Sequence, residues 1–448
     1  MTPSERGSYG RGAALLSALI GVTGLLTYAF HSLAAHALGR DDYGVVAVLW
    51  AAVFLVASVI YRPVEQLLSR TLAERRARDL SEGSALRVAA TIQLALVVVF
   101  VAAALALRGP IEDELFSGSA TLYWCLVAAV SFYAASYFAR GYLAGTQRFG
   151  LYGALVLMES ASRAVLGVLL VVGVIDGPSA AGVAIAVAPL VSLFVVPWAL
   201  GRHVRRKATT DVPDTEITLA HGLGFAGAVL VVMVSEQAIL NSGVLIVKAE
   251  TGDDALAALI FAVLMIARAP LQLFQAVSTT LLPHLTSLLV REGEGHGGDF
   301  GRSVRTTVAA CLGFGGVTVL GVLAVGPAAM RLLFGPGFDY DRLGLAMVAA
   351  GMGLYLSATT VNQAVLAQGR ARLAAASWAT AAAFFVGFLL IASMEEVREV
   401  EVAFLATAGL LSVLLYLAYR KPVAGEHRIL PGSTEEMEAI LAAADEGT

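Results

Sequence analysis

The chain has 448 residues, of which 58% are hydrophobic and only 14% are charged, and its formal net charge is −4. A mean hydropathy of +0.77 lies far from the value of an ordinary soluble domain and indicates a polytopic membrane protein. Its two cysteines, Cys125 and Cys311, stand in apolar surroundings, which excludes a disulfide framework and a cysteine-based metal site.

Twelve apolar stretches follow one another along the chain, each close to the roughly 20 residues that a membrane-crossing helix needs. The first could instead be a cleaved signal peptide, because Arg6 and Arg11 precede it and it ends near small residues. Its length exceeds the roughly 7–15 residues of a signal core, which favours a retained helix. We expect spans over 13–37, 44–68, 85–107, 119–140, 150–174, 179–201, 221–247, 255–283, 304–328, 342–367, 373–394 and 401–419.

The charges in the connections predict the orientation. Most of the 30 Lys and Arg residues lie at the termini and in the even-numbered connections, with Arg75, Arg76 and Arg140 among them. The opposite connections are short and acidic, as at Glu112-Asp113-Glu114. The positive-inside rule therefore places both termini in the cytoplasm of a multi-pass plasma-membrane protein. Lys248, near the outer end of the seventh span, is expected to snorkel to the interface.

The longest basic connection, 202–220, divides the chain into two halves. We expect an N-terminal six-helix bundle over 1–201, a C-terminal six-helix bundle over 221–420 and a cytoplasmic tail over 421–448. Pro63-Val64-Glu65 in the second span matches Pro270-Leu271-Gln272 in the eighth. Equal numbers of spans in each half make the repeat parallel, with a pseudo-twofold axis along the membrane normal. The predicted fold class is all-α.

Two spans carry polar stripes with identical spacing. Positions i, i+4, i+7 and i+11 lie on one face of a helix. A charge at bilayer depth costs about 2.5–3.5 kcal/mol, so such residues mark cavities or substrate paths. The stripes are Ser58, Arg62, Glu65 and Ser69 on the second span, and Arg268, Gln272, Gln275 and Thr279 on the eighth.

Other polar residues inside the spans are further candidates, each with a structural alternative. Amides commonly join helices by hydrogen bonds, a buried histidine is often a packing residue, and carboxylates pair with arginines four residues away. These candidates are His31 on the first span, Glu236 and Asn241 on the seventh, Asn362 on the tenth, and Glu159 with Arg163 on the fifth.

Enzyme activity is not expected. The sequence contains neither a Gly-x-x-x-x-Gly-Lys phosphate loop nor a His-Glu-x-x-His pair. Connections on both faces are too short to hold a catalytic domain. We therefore expect no cofactor and no metal, and transport or a non-catalytic membrane role remains.

Two short motifs resemble those of a known family. The first span ends in Leu38-Gly39 followed by Tyr43-Gly44, and the fourth ends in Gly141-Tyr142-Leu143-Ala144-Gly145. With the topology, these elements resemble the polysaccharide-transporter branch of the multidrug/oligosaccharidyl-lipid/polysaccharide exporter superfamily. The resemblance implies a central cavity lined by the first, second, seventh and eighth helices, and alternating access between the two faces.

The resemblance also implies a cargo, a polyprenyl-diphosphate-linked oligosaccharide turned to the outer leaflet for surface polysaccharide synthesis. Guanidinium groups bind phosphate bidentately, so Arg62 and Arg268 would hold the diphosphate. Membrane lipids, and a polysaccharide polymerase or glycosyltransferases, are the expected partners, and nucleic acid is not. A cation-coupled multidrug exporter and a non-transporting scaffold remain alternatives. In the expected site, Asn241, Gln272, Gln275 and His31 would line the cavity, and Glu65, Glu236 and Asn362 would serve gating or ion coupling.

Overall fold

The computed structural model describes residues 3–77, 80–197, 219–266, 268 and 299–421, and their side chains from residue 18 to 76, 80 to 197, 227 to 266, 268 and 300 to 421. Helix α1, Pro3–Ala77, contains the first two predicted spans. It bends at Gly39, whose φ of 75° is a conformation that glycine adopts without strain. We call 3–38 its first arm and 40–77 its second arm.

Each of the ten later predicted spans overlaps one of the other helices, and the part of the eighth span after residue 268 lies outside the described residues. In the described part of the chain, ten helices are long and apolar enough to cross a membrane, and the first of these holds both arms of α1. The helices after α1 are α2 (Gly83–Ala106), α3 (Ala120–Gly145), α4 (Phe149–Val171), α5 (Gly177–Ser192), α6 (Leu219–Thr251), α7 (Asp254–Ile266), α8 (Asp299–Phe334), α9 (Arg342–Ala367), α10 (Ala371–Ile391) and α11 (Glu396–Arg420).

Helices α1 to α5 pack into an N-terminal lobe, and α6 to α11 into a C-terminal lobe. We call the end that contains Gly39 the outer end and the opposite end the inner end, following the orientation that the sequence predicts. The all-α, two-lobed architecture that the sequence predicts is confirmed.

Two glycines of α3 allow a close backbone contact with the second arm. A Cβ atom on Gly141 would lie 2.8 Å from the carbonyl oxygen of Glu65, and one on Gly145 would lie 2.7 Å from that of Ser69. These two glycines are four residues apart, the spacing that lets membrane helices touch through their backbones. They hold α3 directly against the part of the second arm that carries Arg62.

The same device recurs in the C-terminal lobe. A Cβ atom on Gly315 of α8 would lie 2.8 Å from the Cα atom of Gly353 on α9, so these helices also meet through their backbones. Asp341 begins α9 as its N-cap, accepting a hydrogen bond from the Gly344 amide at 3.2 Å.

Candidate functional site

Arg268 and Arg62 lie on opposite lobes and are the two cations of the site without an ion pair to a described residue. The Arg268 Nη1 atom donates to Asn241 Oδ1 at 3.4 Å, and its Nε atom is buried without a hydrogen-bond partner. The Asn241 amide in turn donates to Gln237 Oε1 at 3.1 Å. Asn241, a candidate on the seventh predicted span, therefore contacts the arginine of the eighth.

Glu236 and Tyr355 connect the two arginines electrostatically. The Glu236 carboxylate is the charge that attracts Arg62 most strongly, across the boundary between the lobes. Tyr355 Oη donates to Glu236 Oε1 at 3.4 Å and also interacts with Arg268. One polar region that both lobes share is thus formed by Arg62, Arg268, Glu236 and Tyr355.

A second polar network fills the N-terminal lobe, centred on Glu159, which is 2% exposed. Its carboxylate pairs with Arg163 Nη2 at 3.0 Å, with the Arg140 guanidinium, and accepts from Tyr133 Oη at 2.6 Å. The ion pair expected between Glu159 and Arg163 is present, but the same carboxylate also pairs with Arg140. Arg163 also stacks over the Trp50 ring at 4.8 Å.

Arg140 corrects a sequence expectation. The charge pattern of the sequence places Arg140 in the basic connection after the fourth span. In the structure it lies inside α3, and its side chain is only 12% exposed. It pairs with Glu159 and is also the charge that attracts Glu65 most strongly. Arg140 therefore links the two carboxylates of the lobe. Its spacing from Tyr133 and Tyr137, at i+7 and i+3, is the signal that could have found it.

Glu65 faces the same network from the second arm of α1. Its Oε1 atom accepts a hydrogen bond from Tyr152 Oη at 3.1 Å. Ser58, one turn before Arg62 on the expected stripe, contacts Tyr137 Oη at 3.2 Å. On the stripe of the second span, Ser58 and Glu65 thus contact α3 and α4. Arg62 interacts instead with the other lobe, where Glu236 lies.

Of two further expected site residues, Asn362 lies apart from this region, whereas His31 interacts electrostatically with Arg163 and Arg268. Asn362 is 5% exposed and accepts a hydrogen bond from Trp378 Nε1 at 3.0 Å, which is the helix-joining alternative for this amide. His31 is fully buried, contacts Tyr43 Oη through Nδ1 at 3.1 Å, and packs 4.9 Å from the Phe261 ring of the other lobe. Gln272, Gln275 and Thr279 lie outside the described residues.

The outer end is closed by contacts between the lobes. Lys248 is 1% exposed, forms an ion pair with Asp254 Oδ1 at 2.8 Å and donates to Ser117 Oγ at 2.8 Å. Ser117 Oγ also donates to Asp254 Oδ2 at 2.8 Å, and Arg40 Nε donates to the Ala255 carbonyl at 2.9 Å. The expected snorkelling of Lys248 is therefore wrong, because the N-terminal lobe covers its ammonium group.

The closure continues inward as backbone contact. A Cβ atom on Gly44 would lie 1.8 Å from the carbonyl oxygen of Asp254, so only glycine allows this approach. Deeper in the membrane, Tyr28 Oη donates to the Met265 carbonyl at 2.6 Å. Sequence reasoning did not single out Ser117 or Asp254 as site residues, since Ser117 stands in a turn and Asp254 at the start of α7, and neither belongs to a motif.

No family model matches the chain. Curated relatives are uncharacterised proteins of Mycobacterium bovis and Mycobacterium tuberculosis, each 27% identical over 400 residues that cover 85% of both chains.

Solved structures of similar fold are transporters. An inward-facing multidrug resistance MATE family transporter of the MOP superfamily matches with a TM-score of 0.68 at 14% identity, covering 91% of this chain and 97% of the other. A mutant of the MATE transporter VcmN of Vibrio cholerae matches with a TM-score of 0.63 at 17% identity, covering 94% and 99%. An outward-facing MATE transporter gives 0.60 at 14% identity, covering 92% and 95%. The chain therefore has the two-lobed fold of the MATE transporters of the MOP superfamily.

Proposed function

We propose that this protein is an exporter that turns a polyprenyl-diphosphate-linked oligosaccharide from the inner to the outer leaflet by alternating access. The shared fold supports the transport cycle, because solved transporters of this fold include inward-facing and outward-facing states. The outer end of this structure is closed. In agreement, its TM-score is higher with the inward-facing transporter than with the outward-facing one. One observation carries the choice of cargo: each lobe places, at the polar region that the lobes share, an arginine that forms no ion pair with a described residue.

Arg268 has no carboxylate partner among the described residues, and an arginine in such a place suits an anionic cargo. Removing a guanidinium from water is costly unless a counter-charge or several hydrogen bonds replace the lost hydration. Among the described residues, Arg268 has one acceptor, at 3.4 Å, and an unsatisfied Nε atom, so it has capacity left for a ligand. A diphosphate offers several charged oxygens to two guanidinium groups, each of which binds phosphate bidentately.

The charge balance of the region points the same way. In the described residues of the two networks, four arginines face three glutamates, which leaves one positive charge in excess. The hydroxyl of Tyr355 and the amides of Gln237 and Asn241 lie beside this charge and can bind sugar hydroxyls. A region of this composition favours an anionic headgroup that carries polar sugars.

Cation-coupled multidrug export is the second candidate, because the structures of similar fold include multidrug resistance transporters. Such an exporter needs a carboxylate that is free to take a cation. Glu159 is neutralised by two arginines, and Glu236 and Glu65 both accept a hydrogen bond from a tyrosine. These partners favour the anionic cargo over a cationic drug.

Reconstitution in proteoliposomes tests the proposal. Leaflet reversal of a fluorescent polyprenyl-diphosphate sugar is compared for the wild type, Arg268→Ala and Arg268→Lys. We expect a loss of about tenfold or more in Arg268→Ala, since a charged hydrogen bond contributes roughly 1.5–3 kcal/mol. Arg268→Lys should recover part of the rate, because it keeps the charge and loses the bidentate geometry.

Arg398→Ala is the matched control, because this arginine lies at the outer end and pairs with Asp341 and Glu401. It should leave the rate unchanged. Equal rates in Arg268→Ala and the wild type would refute the headgroup site. Proton-driven efflux of a lipophilic cation, with no reversal of the lipid-linked sugar, would establish the drug exporter instead.

A further inference from the structure

A pocket of 540 Å³ lies on the flank of the N-terminal lobe, between α2, α3 and the residues that follow α5. Its walls are almost wholly apolar, and they include Ala90, Leu94, Ala135 and Phe138. This volume is in the range of roughly 300–1,000 Å³ that is typical of small-molecule sites. The pocket is therefore large enough for a ligand of hydrocarbon character.

The pocket is separate from the candidate site. It opens between α2 and α3 on the side where Leu94 is 65% exposed, which is the lipid-facing side of a membrane helix. Tyr133 and Arg140 lie on the opposite face of α3 and belong to the network around Glu159. In the bilayer, lipid chains are thus the medium that meets this pocket.

An arginine stands at the inner end of the pocket. Arg87 is exposed and forms no ion pair with a described residue. It precedes Ala90 by three residues and Leu94 by seven, so it lies one and two turns from two residues of the pocket wall, at the edge of that wall. A basic side chain at this level attracts the phosphate of an anionic lipid, while its aliphatic stem covers apolar surface.

Gln93 is a polar residue of the pocket wall. Its Nε2 atom donates to the Ala134 carbonyl at 2.8 Å, but its Oε1 atom is buried without a partner. The hydrogen bond from Gln93 therefore joins α2 to α3 along the pocket wall.

We propose that this pocket binds one acyl chain of an anionic glycerophospholipid, whose phosphate is held by Arg87. The occupant is a lipid of the surrounding membrane and is independent of the cargo. It wedges α2 against α3, the helix that carries Arg140 and Tyr133 on its other face. Binding therefore stabilises the lobe from the outside.

Native mass spectrometry of the full-length protein tests this site, with phosphatidylglycerol or phosphatidylcholine added to detergent micelles. We expect one retained phosphatidylglycerol per wild-type chain and about tenfold weaker retention of phosphatidylcholine, which corresponds to roughly 1.4 kcal/mol. Ala90→Phe and Ala135→Phe should each abolish retention by filling the pocket from opposite walls. Arg87→Gln should remove the preference between the two lipids.

Two variants control for general effects. Ala95→Phe places the same ring at another exposed position of α2, and Arg70→Gln removes an exposed arginine from the end of the second arm. Both should retain phosphatidylglycerol as the wild type does. Retention by both pocket-filling variants, or equal retention of the two lipids by the wild type, would overturn the proposal. Displacement of phosphatidylglycerol by an equimolar polyprenyl phosphate would assign the pocket to an isoprenoid chain and overturn it as well.

Discussion

At the scale of single residues, Glu159 shows how this protein tolerates ions inside the membrane. One carboxylate neutralises Arg163 on its own helix and Arg140 on α3, and a tyrosine hydroxyl completes its hydrogen bonds. Removing one member of a buried group of ions is costly because it leaves the others uncompensated. Exposed pairs of the same spacing contribute little.

Glu159→Gln should therefore destabilise the protein by about 3–5 kcal/mol, the range for a broken buried ion pair. Glu112→Gln is the matched control, because Glu112 pairs with Arg108 four residues away at a partly exposed site. That change should cost less than about 1 kcal/mol. Thermal unfolding of both purified variants in the same detergent measures the difference, and equal midpoints would contradict a structural role for Glu159.

At the scale of helices, Gly44 fixes how closely the two lobes meet. It lies in the first turns of the second arm, after the bend at Gly39. Its backbone is in contact with that of Asp254 at the start of α7. Backbone atoms cannot move aside as a flexible side chain can. Any side chain at position 44 must therefore separate the lobes at their outer end.

Gly44→Ala is expected to shift the protein toward states that are open at the outer end. Gly21→Ala on the first arm is the matched control, because a Cβ atom there meets nothing within 4 Å. An engineered Ala257→Cys, at a position that is 0% exposed near the start of α7, reports the opening. Labelling by an impermeant maleimide should rise about fivefold or more in Gly44→Ala and stay constant in Gly21→Ala. Unchanged labelling in both would show that Gly44 does not set the closure.

At the scale of the whole molecule, the contacts among Lys248, Asp254 and Ser117 must break once in every transport cycle if the lobes alternate. Ser117 belongs to the turn between α2 and α3, whereas the other two residues belong to the opposite lobe. The contacts are polar and lie near the membrane surface, where water can replace them. Apolar contacts between the lobes must separate as well, because Tyr43 packs against Phe261, Phe334 and Phe338 of the C-terminal lobe.

Cross-linking tests whether this opening is obligatory. Ser117→Cys combined with Asp254→Cys should join the lobes through a short, reducible bifunctional reagent, since the native side chains touch at 2.8 Å. The reagent should stop turnover of whichever cargo the reconstituted protein moves, and a reducing agent should restore it. Each single-cysteine variant should be insensitive to the reagent. Full turnover by the cross-linked protein would show that the outer end need not open.

The motifs that carry the family resemblance acquire a physical meaning only in three dimensions. Gly39 makes the bend of α1, and Gly44 lets the lobes touch. Gly141 and Gly145 bring α3 against the second arm. A sequence shows that glycine stands at these positions, but not which backbone each glycine meets.

By itself, the sequence determined the all-α membrane class of the protein and its two-lobed architecture, because hydrophobic length and charge distribution are local properties. It also pointed to Arg62, Arg268 and Asn241 as polar residues in apolar helices. Only the tertiary structure decided their partners. Arg140 is a buried ion, Lys248 belongs to the closure of the outer end, and Asn362 joins α9 to α10 by a hydrogen bond. These pairings depend on which helices face each other, which the sequence alone does not show.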